Sequence, residues 1–257
     1  MSRAHFDLTQ PDPPLIVCIG SGGVGKTTLA ASLGLVSARA GIDTLVMTFD
    51  PSLRLKDALG VGDAAQGKEA VAVDVDAPGV LHASLLDARA TFDRLVARYA
   101  PDDAARERIL TNRYYNHLAG HLGGILEYMA VERLYEVART GRYQRIILDT
   151  PPTRQAIDFL EAPRRVTQFL DSGALKIALR AWFDEEDGHL KAAGSRRFGL
   201  IGRRLESFLD GLIGLQLLRD MSEFFRAFGP LFDGFRDRAA AVEQLLVDAR
   251  TRFVLVT

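Results

Sequence analysis

Residues Gly20, Ser21, Gly22, Gly23, Val24, Gly25, Lys26 and Thr27 run G-x-x-x-x-G-K-T and are followed by Thr28. The glycines let the backbone curl so that its N–H groups point inward and cup an anion. A helix starting near Lys26 would add its positive end to the same spot. In that setting Lys26 reaches the β- and γ-phosphates of a nucleotide, Thr27 places its hydroxyl on Mg²⁺, and Thr28 touches the α-phosphate side. Two carboxylates could complete the chemistry. Asp50 precedes Pro51, and Asp149 precedes Thr150, Pro151 and Pro152. Asp149 is the better Mg²⁺-linked residue, directly or through a water. Asp50 is the better group to orient or deprotonate an attacking water.

These residues need strands and a helix to hold them. Pro14 to Ile19 (PLIVCI) is an apolar run ending at Gly20, which reads as a buried strand. An Ala- and Leu-rich helix follows from Lys26 to Ala40, with Gly41 as its stop. Further strands are expected at Asp43 to Phe49, Val80 to Leu86, Arg145 to Leu148 and Phe253 to Val256. Asp87 to Arg139 is mostly helical in pattern, with a break near Pro101. Strands alternating with helices predict an α/β fold, a doubly wound, mostly parallel sheet of the P-loop nucleotide-hydrolase type. Carboxylates at the C-terminal ends of such strands face the edge where ligands bind.

No strand pattern is convincing between 163 and 249. Leu205, Phe208, Leu209, Leu212, Leu215, Leu218, Met221, Phe225 and Phe228 recur at spacings of three and four, one wide apolar helix face. The chain therefore reads as one P-loop domain over 1–257, with 163–249 a helical subdomain inserted before the last strand. Phe224, Phe232 and Phe235 extend the aromatic tract, which suits either a helical core or a groove for an apolar client helix. A parallel sheet rarely ends on the last residue of a strand, so further residues are expected beyond Thr257, the chain being truncated there.

The bulk numbers exclude several classes. The chain has 257 residues, 47% of them apolar and 25% charged, with a net charge of -1. No global basic field invites nucleic acid. The single cysteine, Cys18, rules out a disulfide framework within the chain and reads as a buried strand residue. No apolar stretch is long enough for a membrane span, and Met1 to Pro14 lacks the apolar core of a secretory signal. A cytoplasmic protein is expected. His117 and His121 stand four apart but lack an evident third metal ligand. The basic pairs Arg164-Arg165, Arg196-Arg197 and Arg203-Arg204 read as solvated helix faces.

GGVGKTT (Gly22 to Thr28), DPSLRLKDALG (Asp50 to Gly60) and DTPPTRQAIDFL (Asp149 to Leu160) together resemble the arsenite-pump and tail-anchored-protein-targeting ATPases, the ArsA/Get family. The likeness extends to Glu127-Tyr128-Met129. It implies an ATP- and Mg²⁺-dependent hydrolase that works as a nucleotide-controlled homodimer. It also implies a protein client on the helical part, Asp50 and Asp57 in a first switch, and Asp149 in a second. The chain departs from the pattern in places. Ser21 stands where the family usually carries a lysine that reaches the partner's nucleotide, and Arg154-Gln155 stand where Gly-His is common. Arg54 or Arg154 could supply the missing cation. The zinc-binding CxxC and the metalloid-binding cysteines are absent. Other readings are a non-hydrolysing nucleotide-gated scaffold, motivated by Ser21, and a ParA/MinD-type positioning ATPase. Against the second, the near-neutral chain offers no surface anchor. A signal-recognition GTPase would need a guanine-reading motif that the chain does not carry, and a small-molecule kinase leaves the paired Asp-Pro switches unexplained.

Overall fold

The computed structural model describes residues 7–50, 54–61, 70–100, 102–111, 125–171 and 232–257. The aromatic tract from Leu205 to Phe228, the Arg196-Arg197 and Arg203-Arg204 pairs, and His117 and His121 lie outside them.

Six strands form one sheet: β1 (Leu15–Gly20), β2 (Thr44–Thr48), β3 (Val71–Ala72), β4 (Leu81–Leu85), β5 (Arg145–Asp149) and β6 (Thr251–Val256). Their spatial order is β3-β4-β2-β5-β1-β6. Every pairing is parallel except that of β3 with β4. This is the doubly wound, mostly parallel α/β sheet expected from the strand–helix alternation. The two-residue β3 has too little apolar pattern to be seen in sequence. Seven helices are described: α1 (Lys26–Arg39), α2 (Arg54–Leu59), α3 (Ala88–Tyr99), α4 (Asp103–Thr111), α5 (Ile125–Thr140), α6 (Thr153–Asp171) and α7 (Phe232–Val247). None of the described helices is long and apolar enough to cross a membrane.

The chain divides into two compact units. The first comprises 1–92, 123–166 and 237–257 and carries the sheet; the second comprises 93–122 and 167–236. Within the first unit β1, β2, β4 and β5 are buried on both faces, which explains their largely apolar sequences, whereas Phe253 and Leu255 of β6 are exposed. Side chains alternate across the sheet with a period of two. Ile16, Cys18, Val46, Ala83 and Ile147 pack with Ala30, Ala31 and Leu33 of α1 and Leu55 and Leu59 of α2. Leu15, Val17, Leu45, Met47, Ile146 and Leu148 form the other core with α5, Phe159 and Ala162 of α6, and Val242 and Leu246 of α7. Gly34 lets α1 sit close on the sheet, since a Cβ there would lie 2.5 Å from Val46 Cγ2.

At the N-terminal edge of the sheet, the fully buried Arg145 guanidinium donates to the carbonyls of Pro13, Leu8 and Gln10 and to Ser37 Oγ. It ties the segment before β1 to the sheet with no carboxylate among those acceptors. Burial pulls its pKa down, while Asp12 and Asp7 oppose the shift.

At the opposite edge β1 runs into the glycine loop. A Cβ on Gly20 would lie 2.2 Å from the backbone oxygen of Val256 in β6. Backbone cannot swing aside as a side chain can, so the two strands would have to separate. Gly20→Ala is therefore expected to destabilise the protein by about 2 kcal/mol, within the usual range for overpacking. Urea unfolding measures this, and an unchanged midpoint would show that β6 yields freely.

Candidate phosphate-binding site

The connection from β1 leads to β2 on one side, and β6 lies on the other side of β1. The strand order thus reverses beside β1, where open α/β sheets leave a crevice at their C-terminal edge. Strand register brings the site residues to that edge. Cys18 of β1 and Thr48 of β2 both stand opposite Asp149 of β5. The loop after β1, Asp50 just past β2 and Asp149 at the end of β5 are therefore neighbours, though 99 residues separate the two carboxylates in sequence.

The loop has the form its glycines allow. Gly23 and Gly25 adopt φ of 80° and 94°, a region that side-chain-bearing residues rarely occupy. Gly25 caps α1, and no side chain satisfies the first-turn amides. Those N–H groups are left for an anion. No acidic residue stands in the first turn of α1; a cation, Lys26, stands there instead. A lysine at a helix N-terminus works against the dipole, and this one is also 7% exposed. Its Nζ donates to the Ser21 carbonyl at 2.7 Å, across the mouth of the loop. Helix formation alone gives no reason for a lysine at this position; an anion between the loop and its ammonium group does.

The Thr27 hydroxyl donates to Asp149 Oδ2 at 2.8 Å, and Thr48 Oγ1 donates to the same oxygen at 3.2 Å. Asp149 is 1% exposed, and its other oxygen, Oδ1, is buried without a hydrogen-bond partner. Such an orphaned carboxylate oxygen is costly unless something charged completes it. Burial is the main influence on this carboxyl and raises its pKa above the usual range. The Thr27 and Thr48 bonds and the Lys26 charge pull the other way, and Asp50 adds to the rise. Oxygen donors only, one carboxylate and one hydroxyl, suit a hard divalent cation with a largely aqueous shell. No cluster of three His, Cys, Asp or Glu side chains among the described residues could hold a metal by itself. The residues present thus fit Mg²⁺ bound jointly with a phosphate, and the uncapped loop fits the phosphate.

Gly23, Gly25, Lys26, Thr27, Thr28 and Asp50 line a cleft of about 290 Å³, and Arg54, Ala58, Thr150 and Pro152 complete it. Asp50 is half-buried, and its backbone N–H donates to Thr48 Oγ1 at 3.1 Å. Asp57 is exposed on α2 and, unlike Ala58 beside it, does not line the cleft. Arg54 lines it; Arg154, exposed in the first turn of α6, does not. Buried Cys18 has its thiol pushed up to about 12, chiefly by burial and then by Asp149, against the pull of Lys26. It is packing, not a nucleophile.

Thr48 was not visible as a site residue from sequence. It joins Asp149 to the start of the Asp50 segment through one hydroxyl. The available signal was a hydroxyl in a wholly buried strand, two residues before Asp50. Thr150 is similar: its Oγ1 donates to the Cys18 carbonyl at 2.6 Å and links the ends of β5 and β1.

The anion-transporting ATPase family, ArsA_ATPase, matches residues 14–187. The chain is 32% identical over 145 residues to "ATPase get3" of Aspergillus terreus, covering 56% of this chain and 41% of that protein. It is 28% identical over 170 residues to "ATPase GET3" of Malassezia globosa, covering 65% and 48%. It is 30% identical over 177 residues to "ATPase GET3" of Pyricularia oryzae, covering 63% and 50%. These matches span about half the length of the curated relatives or less. The family match runs from just before β1, through the phosphate loop and both strand-end aspartates, into the helical stretch, and the chain belongs to the anion-transporting ATPase (ArsA) family.

Proposed function

We propose that this chain is a Mg²⁺-dependent ATP-hydrolysing switch, a cytoplasmic homodimer whose closure is set by its nucleotide. The observation that carries this reading is the Thr27–Asp149 pair, 2.8 Å apart, beside an orphaned carboxylate oxygen and an uncapped helix N-terminus. The loop amides and Lys26 bind the β- and γ-phosphates, and Thr28 the α-phosphate side. Thr27 and Asp149 hold Mg²⁺, Asp149 directly or through water. The metal, when bound, neutralises charge on the phosphates. Asp50, at the mouth of the cleft, orients water and accepts its proton. Thr48 is a positioning residue, since it reaches both Asp149 and the Asp50 backbone. Helical residues 163–249, as a subdomain of this one P-loop domain, would carry a protein client, captured or released as the switch segments order and relax.

The raised pKa of Asp149 yields a test. In the metal-free fold, its contribution to stability is full below the ordinary carboxylate pKa of about 3.9. That contribution is lost as pH rises through its raised folded value, because the ionised form is buried unpaired. A bound cation removes that cost. Mg²⁺-ATP should therefore raise the thermal midpoint more at pH 8 than at pH 5. Thermal unfolding with and without Mg²⁺-ATP at the two pH values checks this, and turnover per site with and without Mg²⁺ checks the metal assignment. Metal-independent turnover would sink the assignment of Thr27 and Asp149, and ATP binding without turnover would make the chain a nucleotide-gated scaffold.

A further inference from the structure

Lys26 and Arg54 are the two cationic side chains among the residues that line the cleft. Lys26 is accounted for by the phosphate loop. Arg54 is not. It is exposed, it faces the same space as Thr27, Thr28 and Asp50, and it has no ion-pair partner among the described residues. Local structure does not call for it either. Arg54 opens α2, and the first turn of a helix favours anions over cations. Leu55 and Leu59, 1% and 8% exposed, anchor α2 in the core. The guanidinium therefore projects from a fixed element.

The geometry points to Arg54 as a second phosphate-contacting residue that grips the terminal phosphate of a bound nucleoside triphosphate in cis. This assignment rests on the reading of the loop as a nucleotide-phosphate site. The charge balance asks for such a group. Asp50 and Asp149 both lie at this edge, Ser21 is uncharged, and a triphosphate adds several negative charges, more than one ammonium and one Mg²⁺ offset. A planar guanidinium can meet two phosphate oxygens at once, which a lysine cannot do. Charge spreading onto the transferred group in the transition state is where a cation gains most. Arg54 also lies four residues from Asp50. Asp50, the water-orienting carboxylate, and Arg54, the cation that recognises the γ-phosphate, would then serve the same cleft.

The test compares wild type, Arg54→Ala, Arg54→Lys and Arg154→Ala. Dissociation constants for fluorescent mant-ATP and mant-ADP with Mg²⁺ are measured, then retention of ADP–aluminium fluoride and turnover. Arg54→Ala should leave mant-ADP binding within about twofold and weaken mant-ATP about tenfold, the scale of a charge-assisted contact. ADP–aluminium fluoride retention and turnover should fall about a hundredfold or more, the scale of an arginine acting on a transferring phosphoryl group. Arg54→Lys should recover part of the ATP affinity but little of the turnover. Arg154→Ala should behave as wild type. An unchanged ratio of ATP to ADP affinity in Arg54→Ala, with unchanged turnover, overturns this assignment alone. A wild type that binds neither nucleotide overturns the phosphate-site reading and this assignment with it. Thermal unfolding of Arg54→Ala should match wild type, as expected for an exposed side chain, so that loss of fold does not stand in for loss of contact.

Discussion

Lys26→Ala is expected to lower ATP turnover by about a hundredfold, which is about 2.7 kcal/mol of barrier, with the protein still folded. The structure explains why both halves are expected together. Lys26 is nearly buried, and the partner described for its ammonium is the Ser21 carbonyl at 2.7 Å. One neutral acceptor compensates a desolvated charge poorly, so the lysine adds little to the stability of the empty protein. Its value lies in the phosphates that come between it and the loop. Removing it takes away a cation from the place where charge develops and leaves the glycine loop and the first turn of α1 with their own hydrogen bonds. Asp50→Asn separates binding from chemistry. It keeps the size and most of the hydrogen bonding of the side chain but cannot accept a proton, so turnover should fall at least tenfold while mant-ATP affinity stays close to wild type. Single-turnover kinetics with both variants check this. Wild-type turnover by Lys26→Ala would mean that the loop does not hold the reacting phosphates.

Arg238→Met is expected to cost about 3–5 kcal/mol of folding stability, the usual effect of stripping one partner from a buried ion pair. Arg238 of α7 donates to Glu132 of α5 with Nε–Oε2 at 2.6 Å, and the two side chains are 4% and 2% exposed. Tyr128, one turn before Glu132, donates to its other oxygen. Burial raises the Glu132 carboxyl above its usual range, against the pull of Arg238 and of the Tyr128 bond. Without the guanidinium, the carboxylate must either stay charged in the core or take up a proton there. Either course weakens the link between α5 and α7 on the face that holds Leu134, Val242 and Leu246. The variant should also become relatively more stable in acid. A carboxyl with a folded pKa raised further contributes its full stability below the unfolded value and loses it as pH rises through the folded one. The triple change Tyr128→Phe, Glu132→Leu, Arg238→Met removes the polar groups together and should recover most of the loss, since apolar replacements of buried pairs are often neutral. Urea unfolding of the variants at pH 5 and pH 8 checks both statements. A loss under about 1 kcal/mol for Arg238→Met would mean that water reaches the pair.

Much of the site was readable because phosphate binding depends on local backbone. Gly20 to Thr28 are contiguous, their glycines dictate the curl, and a strand before and a helix after supply the context. Asp50 and Asp149 were readable because each follows or ends an apolar strand in a chain that also carries the glycine loop, and strand ends in a parallel sheet share one edge. β1, β2, β4 and β5 were legible because burial on both faces leaves apolar runs, β6 was legible as the run Phe253 to Val256, and the boundaries of these five fell within a residue or two of the observed ones. The amino-acid sequence by itself therefore determined the fold class and the placing of the loop, Asp50 and Asp149 at one edge of the sheet. Tertiary structure decided what no spacing encodes. Strand order put Asp149 between β1 and β2, so that Thr27 and Thr48 could bond one carboxylate oxygen and leave the other bare. It set Arg54, and not Arg154, on the lining of the cleft. It paired Glu132 with Arg238 across 106 residues. Local propensity and periodicity report on neighbours in the chain, whereas these three outcomes depend on which distant segments the core brings into contact.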